Sequence, residues 1–369
     1  MNGENKIRPS RIINSVAPIR ICDNGGWTDT WFAGHGKIFN IGVYPYVEVQ
    51  LEVFPNDGSR DRVIIYAENY GERYAARPES QSWDRHPLLE AAIERMHIPE
   101  NVAIQVTVFS EAPSGASTGT SAAVTVALIG ALDCLTPGQL TPHEVATTAH
   151  SVEVEMLNQQ CGIQDQLCSA YGGINFIEMI KYPKATVTQL QIPNTLWWEL
   201  EKRLVLIYLG KTHSSTKVHE KVIEELKGEG PDCRRLNDLR VTAEKSRDAL
   251  LSGDFSALGN AMVENTEAQS RLNSALVGED ARRVIEIAKA HGARGWKVNG
   301  AGGEGGSITL LCDSLNYVKR TMVREIEGEN HLFREIPIYL SRFGLRVWES
   351  SSPDSTPPRV NPRRGRSRT

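Results

Sequence analysis

An α+β fold of two domains is what this sequence of 369 residues predicts. Three observations carry that expectation. Strand-like and helix-like segments come in blocks within each half of the chain, not in strict alternation. The clearest strand, Val47, Val49, Leu51 and Val53 interleaved with Glu48, Gln50 and Glu52, has the period of two of a half-exposed sheet. The length is enough for two hydrophobic cores. Composition agrees: 40% hydrophobic and 23% charged residues with a formal net charge of −4 describe an ordinary globular protein, without the basic excess that nucleic acid would call for.

Taken in order, Arg11 to Ile21 reads as a strand entering the turn Asp23-Asn24-Gly25-Gly26-Trp27-Thr28-Asp29, and Arg62 to Tyr66 as a further strand. Pro87 to Met96, with Leu88, Ala91, Ala92 and Arg95 along one side, is a short helix; Val102, Ile104, Val106 and Val108 alternate as a strand. Past Pro142, the spacing of Val145, Ala149, Val152 and Met156 is helical as far as Asn158. The polar, glycine-flanked segment from Gly162 to Gly173 then interrupts regular structure before a strand at Ile174 to Ile180. Arg203 to Leu209 has the continuous apolar run of a buried strand. Helices follow at Thr216 to Leu226, Cys233 to Leu251, Phe255 to Asn273 and Asp280 to His291. A second glycine-rich loop, Trp296 to Gly306, leads to a strand (Ser307 to Leu311), a helix (Leu315 to Glu327) and two strands near Pro337 and Leu345. Ser350 to Thr369, rich in Ser, Pro and Arg, is read as a disordered tail with a solvated arginine cluster.

Cys22, Cys134, Cys161, Cys168, Cys233 and Cys312 are scattered without metal-ligand spacing, as expected of reduced thiols in a cytoplasmic protein. The first ten residues hold no apolar segment of a signal peptide, and the apolar run Ala122 to Leu132 is too short for a bilayer. No membrane partner is expected.

The stretch Glu111 to Leu132, EAPSGASTGTSAAVTVALIGAL, organises the rest. A loop of small and hydroxyl residues runs into an apolar helix, with Thr118, Thr120 and Ser121 offering capping oxygens. Many backbone N–H groups in front of a positive helix end suit a phosphate chain. A P-loop is excluded, because no Lys occurs between Glu111 and Leu132. Gly115-Ala116-Ser117-Thr118-Gly119 matches the nucleophile elbow in spelling, but the preceding strand stops well short of Ser117. A plain turn starting a core helix stays open on these residues alone.

Four further features have a chemical and a bland reading. Arg20 precedes paired glycines and Asp29, a carboxylate able to hold sugar hydroxyls or simply to close a β-turn. Glu153 is either a solvated helix carboxylate or, beside apolar Val152, one at the core boundary. Asp165, between Gln164 and Gln166, can take a proton from a hydroxyl or cap the helix that follows. Gly300, Gly302 and Gly305 spell the dinucleotide fingerprint, yet a strand follows where that fingerprint needs a helix. Such a loop can instead press backbone against a phosphate or substrate.

Ala17-Pro18-Ile19-Arg20 with Gly25 to Asp29, the Pro113 to Ser121 loop, Gly162 to Gln166 with Gly172-Gly173-Ile174-Asn175-Phe176-Ile177-Glu178, and Gly300 to Gly303 occur in the order seen in one family. From about Arg11 to Trp348 the chain resembles the GHMP small-molecule kinases, above all the branch of D-glycero-D-manno-heptose 7-phosphate kinase and fucokinase. The resemblance implies a ribosomal-protein-S5-like α+β domain over residues 1–200, a ferredoxin-like α+β domain over 201–349 and the tail beyond.

It further implies an ATP-dependent sugar kinase acting on the anomeric hydroxyl, most closely that of D-glycero-D-manno-heptose 7-phosphate, whose distal phosphate needs cations; Lys211, His213 and Lys217 are candidates for these, or a basic surface loop. Fucokinase-, glucuronokinase- and galactokinase-like acceptors are alternatives, as is a non-catalytic ATP or sugar sensor. ATP and Mg²⁺ are the implied cofactors and a small sugar or sugar phosphate the partner; a homodimer is allowed but not fixed. Residue by residue, Asp165 matches the catalytic aspartate and Arg20 a cation beside the transferring phosphoryl. Ser121 and Glu153 match the metal-facing pair, and Pro113, Gly115, Ala116, Ser117, Thr118, Gly119, Thr120 and Ser121 the ATP loop. Gly26, Thr28, Asp29, Gly300, Ala301 and Gly302 match substrate-facing positions. Ser117 and Thr118 replace the usual Gly and Leu of the ATP loop, Glu304 interrupts the third glycine run, and Gly306 stands where Cys or Phe is common.

Overall fold

The computed structural model describes residues 8–80, 82–211 and 215–350. The tail expectation for residues 351–369 therefore lies outside the described residues, while Ser350 ends the last strand.

Two long strands, β1 (Arg11–Asn24) and β2 (Gly36–Pro55), pair antiparallel and carry most of the first sheet. β3 (Val63–Ala67) and β4 (Glu72–Ala75) form its far edge, and α1 (Pro87–Met96) leads to β5 (Val102–Ser110). β5 pairs antiparallel with β2 and parallel with β3, which places β2 and β5 inside the sheet and β4 at its edge. The apolar helix α2 (Thr120–Asp133) packs on β1 and β2. It buries ten of its residues from Ala122 to Leu132, which is why its sequence is apolar almost all round. α3 (Pro142–Ser151) starts with a capping box between Thr141 and Glu144. It runs into one wide π-type turn, Val152–Met156.

The segment read as an interruption contains a short helix, α4 (Gln164–Tyr171). Its polar sequence hid it: Leu167, Cys168 and Ala170 are buried, but two turns are too few for a visible period. β6 (Ile174–Lys181), on β2, and β7 (Lys184–Gln189) follow, then α5 (Asn194–Arg203), neither β7 nor α5 having been expected.

β8 (Leu204–Tyr208) opens a second sheet and is buried throughout. Leu204, Leu206 and Tyr208 face the large first core, and Val205 and Ile207 the smaller second one. Burial on both faces explains its unbroken apolar run. Helices α6 (Ser215–Glu225), α7 (Arg234–Ser252), α8 (Phe255–Leu272) and α9 (Glu279–Ala290) follow. β9 (Gly295–Val298), β10 (Ser307–Leu311), α10 (Asn316–Glu329) and β11 (Arg334–Ile336) complete the second unit, whose antiparallel order is β11-β8-β10-β9. α9 and α10 supply Val284, Ile285, Met322 and Ile326 to its core.

The chain then returns. β12 (Tyr339–Leu340) pairs with β2 and β13 (Arg346–Ser350) with β1, so residues 339–350 add to the first sheet, although the expected division groups 201–349 together. Edge pairing is a long-range choice that a local pattern does not express. The turn after β1 is wedged from the other side: Trp27 packs with Val222, Leu226, Leu236, Leu239 and Leu272 of α6, α7 and α8.

Candidate active site

β1, the loop before α2, the start of α4 and the loop after β9 meet around a cleft of about 810 Å³. All eight positions expected to bind ATP line it, as do Arg20, Asp165, Glu153, Asp29, Gly300 and Ala301.

The loop is curled by left-handed residues at Gly115, Ser117 and Gly119. Gly119 is the N-cap of α2, and no side chain caps this helix. The expected capping is absent because the hydroxyls of Thr118 and Thr120 face each other at 3.2 Å. The first N–H groups of an apolar helix are thus left for an anion at its positive end. Gly119 has φ +70°, and a Cβ there would lie 3.1 Å from the carboxylate carbon of Asp165. With Asp165 in the catalytic role that the resemblance implies, Gly119→Ala is expected to lower kcat at least about tenfold by shifting that carboxylate. Gly58→Ala, equally left-handed but with nothing within 4 Å, should cost stability alone. Steady-state ADP release and thermal melts of both variants separate contact from strain.

Arg20 lies between two register shifts of β1 against β2, a local irregularity of the kind that re-aims side chains. Its backbone N–H donates to the Thr118 carbonyl at 2.9 Å, tying the strand to the loop. The side chain is 4% exposed. Its Nε donates to Asp165 Oδ1 at 2.7 Å and one Nη to Oδ2 at 3.1 Å, a two-pronged pair, while the other Nη donates to the Ser117 carbonyl. Burial disfavours the guanidinium charge, but Asp165 and Asp23 outweigh it and hold the pKa above the ordinary arginine value. Asp165 itself stands in the first turn of α4 with its side chain 27% exposed. Arg20 takes one lone pair of each oxygen, and others remain to accept a proton.

Glu153 owes its place to the π-type turn after α3, where the Leu157 N–H reaches back five residues to the Val152 carbonyl. It is 5% exposed and accepts from Gln166 Nε2 at 2.7 Å. Burial pushes its pKa up to about 7, the Gln166 bond opposing and the Asp165 charge adding. Asp29 is likewise buried and pushed up to about 6 by burial, even though it accepts from the Gln164 N–H at 3.0 Å. A buried carboxylate so disfavoured beside an open phosphate loop fits a hard cation. Among the described residues no three His, Cys, Asp or Glu groups form a metal cage. One carboxylate and the Ser121 hydroxyl suit Mg²⁺, which keeps waters and takes its other ligands from phosphates.

Three expected substrate-facing residues do not line the cleft. Thr28 is fully buried and its hydroxyl closes the turn on the Gly25 carbonyl at 2.7 Å. Gly26 lies against Asp23, and Gly302 packs on the Leu276 carbonyl, so both form the wall behind the surface. Lys211 is engaged by Asp280 at 2.6 Å, with Glu304 at 3.9 Å. His213 and the side chain of Lys217 lie outside the described residues.

Several lining residues escaped the sequence reading. Asp23 and Gln164 flank the catalytic candidates in sequence, a signal that proximity to Arg20 and Asp165 could have given. Asn69, Tyr70, Arg85, His86 and Leu89 line the end of the cleft near β3 and α1 and carry no motif. Asn69 bonds both backbone groups of Ser110, at 2.7 and 2.8 Å, and so shapes the entrance to the loop.

Residues 87–173 match the model of the GHMP kinases N terminal domain, and residues 246–322 that of GHMP kinases C terminal. The chain is 27% identical over 240 residues to D-glycero-alpha-D-manno-heptose 7-phosphate kinase of Campylobacter jejuni, covering 65% of this chain and 69% of that protein. It is 31% identical over 260 residues to mevalonate kinase of Pyrococcus furiosus, covering 68% and 70% respectively. Among solved structures, a D-glycero-D-manno-heptose 1-phosphate kinase from Bacteroides thetaiotaomicron superposes with a TM-score of 0.69 at 21% identity, over 92% of this chain and 100% of the other.

Proposed function

Because the chain belongs to the GHMP kinases, we propose that it transfers the terminal phosphoryl group of ATP to a hydroxyl of a sugar or sugar phosphate. The observation that carries this reading is the Asp165 carboxylate, braced by Arg20 and set against Gly119 at the mouth of the uncapped helix α2. ATP phosphates occupy the loop from Gly115 to Ser121. The acceptor hydroxyl lies beside Asp165, which orients it and accepts its proton as the O–P bond forms; ADP leaves with the electrons of the broken bond. Arg20 and the N–H groups of the loop stabilise the charge spread over the transferring phosphoryl. Glu153 and Ser121 would hold Mg²⁺, which neutralises phosphate charge when bound. Asp29 orients sugar hydroxyls.

The division near residue 200 follows from this assignment: the first unit holds the ATP loop, Glu153 and Asp165, and the second contributes Gly300 and Ala301. No helix among the described residues is long and apolar enough to cross a membrane, and all six cysteines are free, which supports action in the ATP-rich cytoplasm.

The acceptor favoured is D-glycero-D-manno-heptose 7-phosphate at its anomeric hydroxyl, supported by the Campylobacter jejuni relative. A second acceptor, mevalonate, is favoured by the higher identity of the Pyrococcus furiosus relative. Coupled ADP release over a panel of heptose 7-phosphate, fucose, galactose, glucuronate and mevalonate separates them. Heptose 7-phosphate should give a kcat/KM at least about tenfold above the rest, since a site built to bond particular hydroxyls rejects analogues that leave them unpaired. Preference for mevalonate would replace the sugar reading, and no ADP release with any acceptor would leave a nucleotide-binding sensor.

A further inference from the structure

The loop after β9 is gripped from behind by a buried lysine. Lys297 is 1% exposed and does not line the cleft. Its ammonium meets three acceptors: Asp23 Oδ1 at 3.2 Å, Gln269 Oε1 at 3.2 Å and the Val298 carbonyl. Three N–H donors belong to the charged ammonium; a neutral amine has only two. Burial pushes the Lys297 pKa down and the Asp23 carboxylate opposes that.

The same two partners clamp Gly300. Its N–H donates to the Asp23 oxygens at 3.0 and 3.1 Å, and its carbonyl accepts from Gln269 Nε2 at 3.2 Å. Gly300 is left-handed, and a Cβ there would lie 3.0 Å from the Ser117 carbonyl and 3.1 Å from an Nη of Arg20. The clamp therefore ends directly on the guanidinium that braces Asp165.

Charge balance sharpens the point. The group holds two cations, Lys297 and Arg20, and two carboxylates, Asp23 and Asp165. Asp23 stands 3.2 Å from Lys297 and 4.0 Å from Arg20. A buried carboxylate that loses its partner is strongly disfavoured. Without Lys297, Asp23 would draw Arg20 across and away from Asp165.

We propose that Lys297 is a positioning residue for phosphoryl transfer: by pairing with Asp23 it leaves Arg20 to Asp165, and through Asp23 and Gln269 it fixes Gly300 against Arg20. This rests on the roles given to Asp165 and Arg20 above.

The test compares Lys297→Met, Asp23→Asn and the double variant, with Asp165→Asn in parallel. ADP release is measured with ATP and the best acceptor of the panel, and folding is followed by thermal melts. Lys297→Met is expected to lose roughly 10²-fold in kcat, the scale of a small misplacement at the reacting centre. Its KM for ATP should stay within about threefold, because the loop N–H groups are untouched. In the double variant the surplus charge is gone, and kcat should return to within about tenfold of wild type. A packing role alone would make the losses add, leaving the double variant worse than either single one; that result overturns the proposal. A Lys297→Met enzyme with wild-type kcat overturns it too. If Lys297→Met does not fold, a folded and active double variant upholds the proposal, and an unfolded or inactive one overturns it. Wild-type turnover by Asp165→Asn would remove the catalytic reading beneath the proposal, and the proposal with it.

Discussion

Asp165→Asn is expected to cut kcat by about 10²- to 10⁴-fold, the range for removing a positioned proton acceptor. The amide keeps the shape of the carboxylate and can still accept from Arg20, but it cannot take the acceptor's proton. ATP binding should change by less than about threefold, because the proposed seat of the phosphates is the loop and the α2 N-terminus, not this group. Stability should fall only modestly. The Arg20 side chain is 4% exposed, but the ring of partners survives in part, with Asp23 at 4.0 Å and the Ser117 carbonyl still bonded. Asp165 is itself 27% exposed, so solvent screening discounts the lost ion pair to about 1 kcal/mol. Coupled ADP release together with calorimetric titration of ATP checks both halves. A variant that turns over like wild type takes Asp165 out of its role.

Glu153→Gln should move stability and activity in opposite directions. Burial, opposed by the Gln166 hydrogen bond, raises the Glu153 pKa from the ordinary carboxylate range near 4.5 to about 7. The folded protein therefore holds this proton more tightly than the unfolded chain. Stability linked to the group is full below about pH 4.5 and is lost as pH rises to about 7, by something on the order of 2–3 kcal/mol in the absence of a bound cation. Glutamine accepts the same bond from Gln166 without that cost. The variant should melt higher than wild type at pH 8 and close to it at pH 4.5, provided no Mg²⁺ is present. Adding Mg²⁺ and ADP should raise the wild-type melting temperature more than that of the variant, and kcat of the variant should fall by about 10²-fold or more. Thermal melts at the two pH values, with and without Mg²⁺ and ADP, read every part of this. A variant less stable than wild type at pH 8 would mean that Glu153 is not a strained carboxylate.

What could be read from the sequence depended on the range of the interaction. The curled loop before α2 was legible because local chemistry makes it: small residues, closely spaced glycines and an apolar helix directly after. Asp165 and Glu153 stood out through the resemblance, but their geometry did not. Glu153 faces the cleft because of a π-type turn, a register change that helical spacing from Val145 to Met156 conceals. α4 was missed because a helix of two turns bearing Gln, Asp and Ser has no period to detect. The return of β12 and β13 to the first sheet is a pairing between residues some 300 positions apart, such as Ile12 with Ser350, which no window can express. Thr28 and Lys297 show the same limit in opposite directions. A motif residue turned out to hold its own turn together, and Lys297, read as part of a glycine-rich loop, stands in strand β9 and reaches the centre of a buried charge group.

Asp165 is proposed to meet the acceptor alcohol across from metal-bound ATP. A crystal structure of the chain with Mg²⁺, a non-hydrolysable ATP analogue and the preferred acceptor would show this arrangement. The reacting hydroxyl is expected within hydrogen-bond reach of the Asp165 carboxylate, about 2.6–3.2 Å, and facing the terminal phosphorus at about 3–3.5 Å. An acceptor bound elsewhere, or a terminal phosphate lying away from the Gly115 to Ser121 loop, would contradict it.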